Sequence, residues 1–142
     1  SIGRARRPSE MGAVQMSLNV LVVDDSTVVR TVIIKTLRIL KLPLGEVYEA
    51  ANGREALDTL ESNWIDLVFA DINMPGMNGE EMIERMRENP AWADLPLVVV
   101  STEGSETRIA RLERQGARFI HKPFAPEIVR DVVRELTGVT NE

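Results

Sequence analysis

The chain has 142 residues, a formal net charge of −5, 44% hydrophobic residues and 27% charged residues, the size of one domain and an ordinary globular composition. It contains no cysteine and a single histidine, His121, which excludes disulfides, thiolate metal sites and multi-histidine zinc sites. No apolar run approaches the roughly 20 residues of a membrane span, no secretory h-region is visible, and the acidic balance argues against a sequence-independent grip on nucleic acid. A cytoplasmic protein without membrane insertion is the expectation.

Residues 1–17 show no periodicity and carry Arg4, Arg6 and Arg7 among Gly, Pro and Ser. They read as a disordered extension, as sequence upstream of a natural start at Met16, or as a cloning remnant. From Asn19 an apolar run ends at Val23 and is closed by Asp24 and Asp25. Val29, Val32, Ile33, Thr36, Leu37 and Leu40 then follow at spacings of three and four, the period of an amphipathic helix. Pro43 and Gly45 mark its exit, and Glu46–Ala50 reads as a second strand. Asn52 is placed to cap a helix through Ala56, Leu57 and Leu60. Residues 66–70 form a third strand, closed by Asp71. A Pro75-Gly76 turn leads to a helix carrying Met82, Ile83 and Met86, which stops before Pro90.

Residues 97–100 are a fourth strand. Ser105 can cap a helix through Ile109 and Leu112 that ends at Gly116. Residues 118–120 are a short fifth strand, followed by His121 and Lys122. Pro126 suits the first turn of a last helix, with Ile128, Val129, Val132, Val133 and Leu136 inward and Gly138 as its stop. The domain thus spans residues 18–138, and 139–142 form a short tail. Short β-branched runs alternating with helices describe buried parallel strands. Right-handed crossovers leave a doubly wound, five-stranded parallel α/β sheet as the architecture.

In such a sheet the loops beyond the carboxyl ends of the strands form the ligand crevice. Three carboxylates, Asp24, Asp25 and Asp71, and one ammonium, Lys122, therefore converge there. Like charges gathered in one place are unfavourable unless a counter-charge relieves them, and a hard divalent cation with oxygen ligands would do so. Only three lysines stand against fourteen arginines. A lysine retained just before Pro123 points to a need for a compact ammonium group.

Four motifs, in order on successive strands, carry a resemblance. Val22-Val23-Asp24-Asp25-Ser26, Asp71-Ile72-Asn73-Met74-Pro75-Gly76-Met77-Asn78-Gly79, Ser101-Thr102-Glu103-Gly104 and Lys122-Pro123-Phe124 together resemble the receiver domain of bacterial two-component response regulators. The likeness is to stand-alone, CheY-like regulators of the chemotaxis type, and it covers about residues 18–138. It implies a flavodoxin-like (βα)5 fold with strand order 2-1-3-4-5, the order known for flavodoxin and CheY.

The resemblance also implies a function. Asp71 accepts a phosphoryl group from a sensor histidine kinase or a histidine phosphotransfer protein, and the changed surface binds a partner, with no output domain attached. Mg²⁺, with Mn²⁺ as a substitute, is held by Asp24, Asp25, Asp71 and the backbone carbonyl of Asn73. Lys122 and Ser101 contact phosphoryl oxygens, and the Lys122–Pro123 bond is cis. Asn73 and Glu103 tune self-dephosphorylation and keep the phosphorylated state short-lived. Ser101 and Phe119 form the switch, and the downstream target binds the face running from Ser105 to Leu136. The protein is thus a signalling switch rather than an enzyme, although it assists its own phosphoryl transfer.

Two other classes fit less well. A haloacid-dehalogenase-type enzyme also uses an aspartate after a strand, but wants a second aspartate two residues later, where this chain has Asn73. A flavodoxin-like mononucleotide binder needs hydroxyls and free amides after the first strand, where Asp24 and Asp25 would repel a bare phosphate. Alone, His121 reads as a surface histidine, the methionines 74, 77, 82 and 86 as gap-filling residues, and Trp64 and Trp92 as covers of core edges.

Overall fold

A computed structural model describes residues 17–138. The readings of residues 1–16 and 139–142 lie outside the described residues. Five strands, β1 (Leu18–Val23), β2 (Leu44–Ala50), β3 (Leu67–Ala70), β4 (Leu97–Ser101) and β5 (Ala117–His121), alternate with five helices. These are α1 (Thr27–Ile39), α2 (Gly53–Ser62), α3 (Gly79–Glu88), α4 (Glu106–Arg114) and α5 (Pro126–Thr137). All strand pairs are parallel, and the sheet order is β2-β1-β3-β4-β5, as the resemblance implied.

The sheet is covered on both faces. Val20, Val22, Leu67, Phe69, Val98 and Val100 point to one side, against Ile33 and Leu37 of α1 and Val129, Val132 and Val133 of α5. Leu21, Val23, Val68, Ala70 and Val99 point to the other, against Ala56 and Leu60 of α2, Met82, Ile83 and Met86 of α3, and Leu112 of α4. This alternation is the two-residue period of a strand buried on both faces. Each fully buried aliphatic or aromatic side chain contributes about 1.5–3 kcal/mol. Four helices have the expected kind of N-cap: the side chains of Ser26, Asn52, Asn78 and Ser105 accept from the N–H three residues on, satisfying a donor that helix geometry leaves unpaired.

Three local expectations need correction. The second strand begins at Leu44, not Glu46, so Gly45 lies inside it. The Asn19 side chain accepts from Glu46 N–H at 2.8 Å, and a Cβ on residue 45 would lie 2.3 Å from Asn19 Oδ1. Gly45 is thus a point of close approach within a strand rather than a helix exit. The exit of α1 is made instead by Lys41, in the left-handed conformation with φ of 58°. Finally, Ile128 faces outward, 48% exposed, and Val32 of α1 is equally exposed. Each stands next to a buried neighbour, Val129 and Ile33 respectively, on the margin of its helix's apolar stripe, so helical spacing there does not translate into burial.

Candidate functional site

The strand order places the tips of β1 and β3 side by side. Val23 pairs with Ala70 in register, and Asp71 N–H donates to the Val23 carbonyl at 3.0 Å. Asp24, Asp25 and Asp71 therefore stand together: one carboxylate oxygen from each lies within 4.8 Å of the others. The third contributor arrives on the neighbouring side of the sheet. β4 pairs with β5, Lys122 N–H donates to the Ser101 carbonyl at 2.9 Å, and the Lys122–Pro123 bond is cis. Lys122 Nζ lies 3.5 Å from Asp24 Oδ2 and 3.7 Å from Asp71 Oδ2. The four groups that the sequence assigned to one crevice meet there.

Asp24 is 2% exposed. Its Oδ1 accepts from Ser26 N–H at 2.8 Å, while Oδ2 has no hydrogen-bond partner. Burial holds this carboxyl above its ordinary range; the Ser26 N–H and the Lys122 ammonium oppose the rise, and Asp71 and Asp25 add to it. A buried carboxylate oxygen without a hydrogen bond is costly. An oxygen aimed into a cluster of two further carboxylates has the chemistry of a ligand for a hard cation. Asp25 is exposed and Asp71 half-buried, so the cluster opens to solvent on one side. No histidine or cysteine lies among these oxygens, which favours Mg²⁺ or Mn²⁺ over zinc.

Ser101 is 1% exposed and closes β4, one residue beyond the expected end of that strand. Its Oγ accepts from Glu103 N–H at 3.1 Å. Asn73 N–H donates to Asp71 Oδ1 at 3.2 Å, and the exposed Asn73 side chain stands at the rim of the crevice. Glu103 does not stand free. Its Oε2 accepts from Ser105 N–H at 2.9 Å and its Oε1 from Arg108 at 2.6 Å. Those two contacts, the Ser105 N–H first, hold its carboxyl below the ordinary glutamate range. Phe119 is half-buried against the α2–α3–α4 side of the core and meets the exposed His121 edge-on, with ring centroids 4.7 Å apart.

Sequence reading did not foresee several contacts that shape the site, some made by residues it had named only within a motif or a helix. Gly79 permits α3 to start directly beneath the Asp71–Ile72 backbone. Arg30 donates to the Asp24 carbonyl at 2.5 Å and pairs with Glu49 at 2.9 Å, fixing the β1–α1 turn. Arg108 joins three segments around the rim. Val28, Val32, Pro123, Phe124 and Pro126 line an apolar groove beside Lys122. A solitary arginine or glycine has no sequence signal for such contacts; the run Asn78-Gly79 at a helix start is the nearest to one.

A doubly wound parallel sheet with an aspartate cluster at the tips of β1 and β3 and a lysine after β5 defines an α/β module whose acidic pocket could hold a divalent cation. The chain belongs to the response regulator receiver domain family, whose model matches residues 20–134. It is 34% identical over 123 residues to the chemotaxis protein CheY homolog of Campylobacter jejuni, covering 85% of this chain and 93% of that one. With the chemotaxis protein CheY1 of Helicobacter pylori it shares 32% identity over 127 residues, 88% of this chain and 100% of the relative. The solved structure of the chemotaxis response regulator CheY4 of Vibrio cholerae is similar at a TM-score of 0.75 and 31% identity, covering 85% of this chain and 99% of that one. The protein is thus a CheY-like receiver of two-component signalling. Receiver domains bind Mg²⁺ at an acidic pocket, and the Asp24, Asp25 and Asp71 cluster is a pocket of that kind. No helix among the described residues is long and apolar enough to cross a membrane.

Proposed function

We propose that this protein is a phosphorylation-controlled switch in which Asp71 accepts a phosphoryl group from a histidine kinase or a histidine phosphotransfer protein and a partner then reads the changed surface. The observation that carries this reading is the placement of Lys122 Nζ 3.7 Å from Asp71 Oδ2, beside a carboxylate cluster with an unsatisfied buried oxygen. Phosphoryl transfer needs chiefly positioning and charge neutralisation. A nucleophilic carboxylate oxygen flanked by a fixed ammonium group provides the first and part of the second.

Asp24, Asp25, Asp71 and the Asn73 carbonyl would hold Mg²⁺, with Mn²⁺ as a substitute; the ion supplies charge neutralisation for the phosphoryl oxygens. Asp71 forms the new oxygen–phosphorus bond as the donor histidine nitrogen leaves. Lys122 takes the charge that gathers on one phosphoryl oxygen. The Ser101 hydroxyl, now 3.1 Å from Glu103 N, can donate its hydrogen to another. The Val28, Val32, Pro123, Phe124 and Pro126 groove offers a donor protein an apolar surface next to the crevice. The readout face is α4, β5 and α5, where Phe119 is half-buried and packs against the edge of the core.

Acetyl phosphate labelling tests the acceptor. Asp71→Asn keeps the shape of the side chain and removes the nucleophile, so labelling should be lost. Label retained at the wild-type rate in that variant would refute the assignment.

A further inference from the structure

The rim of the crevice is tied together by one side chain that the reading above does not use. Arg108, in the first turn of α4, donates from Nη1 to Glu103 Oε1 at 2.6 Å and to Asn73 Oδ1 at 3.2 Å. Its Nε donates to Glu80 Oε1, at the start of α3, at 2.6 Å. Arg111 reaches the second oxygen of Glu80 at 3.3 Å. Only 22% of the Arg108 side chain is exposed, against 18% for Glu103 and 26% for Glu80, so the charges are partly shielded from water and the pairs outweigh ordinary surface ion pairs.

The links on either side of Arg108 lead to the expected acceptor, Asp71, and to the Ser101 hydroxyl expected to touch a phosphoryl oxygen. Asn73 N–H bonds to Asp71 Oδ1, and Glu103 N–H bonds to Ser101 Oγ. A continuous hydrogen-bonded path therefore runs from acceptor to switch hydroxyl through Arg108. Both Glu103 oxygens are occupied, one by Arg108 and one by Ser105 N–H.

We propose that Arg108 is a positioning residue that sets the lifetime of the phosphorylated state, by holding the Glu103 carboxylate away from the water that hydrolyses it. This rests on Asp71 being the acceptor. In the hydrolysis a water oxygen bonds to phosphorus, and the bond between phosphorus and the Asp71 oxygen breaks. The electron pair stays on the Asp71 carboxylate, and inorganic phosphate departs. The water proton must pass to a base, and a carboxylate at the rim is suited to take it. Glu103 is the rim carboxylate near Asn73 and Ser101, and while Arg108 grips it, its Oε1 is not available. Release would offer the water a proton acceptor, and that shortens the lifetime.

The test loads the full chain with acetyl phosphate and Mg²⁺, removes the donor and follows phosphate release. Arg108→Ala should decay faster than wild type by roughly threefold or more, a small part of the 10²–10⁴-fold that a positioned base contributes. Arg108→Lys, which can keep one contact to Glu103, should fall between the two. In Glu103→Gln, which cannot accept the proton, adding Arg108→Ala should change little, whereas a merely loosened α4 would speed decay in that background too. Wild-type or slower decay in Arg108→Ala, or equal acceleration with and without the Glu103 carboxylate, overturns the role of Arg108 alone. A wild type that takes no phosphoryl group on Asp71 overturns this proposal and the acceptor reading together.

Discussion

Gly79 donates its backbone N–H to the Ile72 carbonyl at 3.1 Å, and its α-carbon sits so close to the chain there that a Cβ would lie 2.5 Å from Ile72 Cα. The same Cβ would be 2.3 Å from the carbonyl oxygen of Asp71. Both neighbours are backbone, so neither can swing aside. The start of α3 and the acceptor loop are in effect one rigid piece.

Gly79→Ala must therefore push α3 away from the loop. The expected cost is about 1–3 kcal/mol, the range for overpacking a tight interior, read as a lower Tm. Acetyl phosphate labelling should also slow, because the loop carries Asp71. An unaltered Tm together with an unaltered labelling rate would show that the contact is not rigid.

Cation binding should stabilise the fold. A ligand that binds only the native state adds about 2.7 kcal/mol at a hundred times its dissociation constant. Thermal melts with and without Mg²⁺ at neutral pH should show the gain in wild type and little of it in Asp25→Ala, which should also label poorly. A full Mg²⁺-dependent shift in Asp25→Ala would remove that carboxylate from the ligand set.

Glu103 gives a pH signature. Its carboxyl is held below the ordinary glutamate range by the Ser105 N–H first and Arg108 second. Because the folded value is depressed, its contribution to stability is present above the unfolded pKa and is lost as pH falls through the folded one. Carbon-detected NMR titration of the side chain should find it below the ordinary range in wild type. In Arg108→Ala it should move part of the way back, since the Ser105 contact remains. A titration at the ordinary glutamate value in wild type would contradict the observed contacts.

Phe119 should matter for readout more than for chemistry. It packs on the core edge rather than inside it, and it lacks the hydroxyl a tyrosine would offer. A phosphoryl group can bias its packing only by favouring one arrangement over another. Phe119→Ala should label at Asp71 much as wild type does, yet bind a phosphorylation-dependent partner more weakly. Partner binding that keeps its full dependence on phosphorylation in this variant would return Phe119 to a purely structural role.

How much of this was legible in the sequence follows from where each residue sits. β1, β3 and β4 are buried on both faces, so they write unbroken apolar runs, and the residues that close them, Asp24, Asp71 and Ser101, stand out. β2 lies at the sheet edge with a mixed burial pattern and a glycine inside, which hid its first two residues. Val32 and Ile128 obey helical spacing yet are half exposed, because periodicity reports which side of a helix is apolar and not whether anything covers it. Arg108 meets Glu80 and Asn73 across 28 and 35 residues; pairings at that distance are created by the fold and leave no local trace. The four-motif set survived because its spacing is fixed by strand order.

The same strand order has a consequence for the chain as it leaves the ribosome. Asp24 and Asp25 emerge early and Asp71 midway, but Lys122 comes only with β5, which must add itself beside β4 at the sheet's far edge. Until then the nascent chain carries these carboxylates without Lys122 to face them, and Ser101 has no fifth strand beside it. On the proposed reading, a molecule without β5 would have an aspartate to offer a donor but no Lys122 beside it, so strand order would keep an unfinished chain from holding the phosphoryl group.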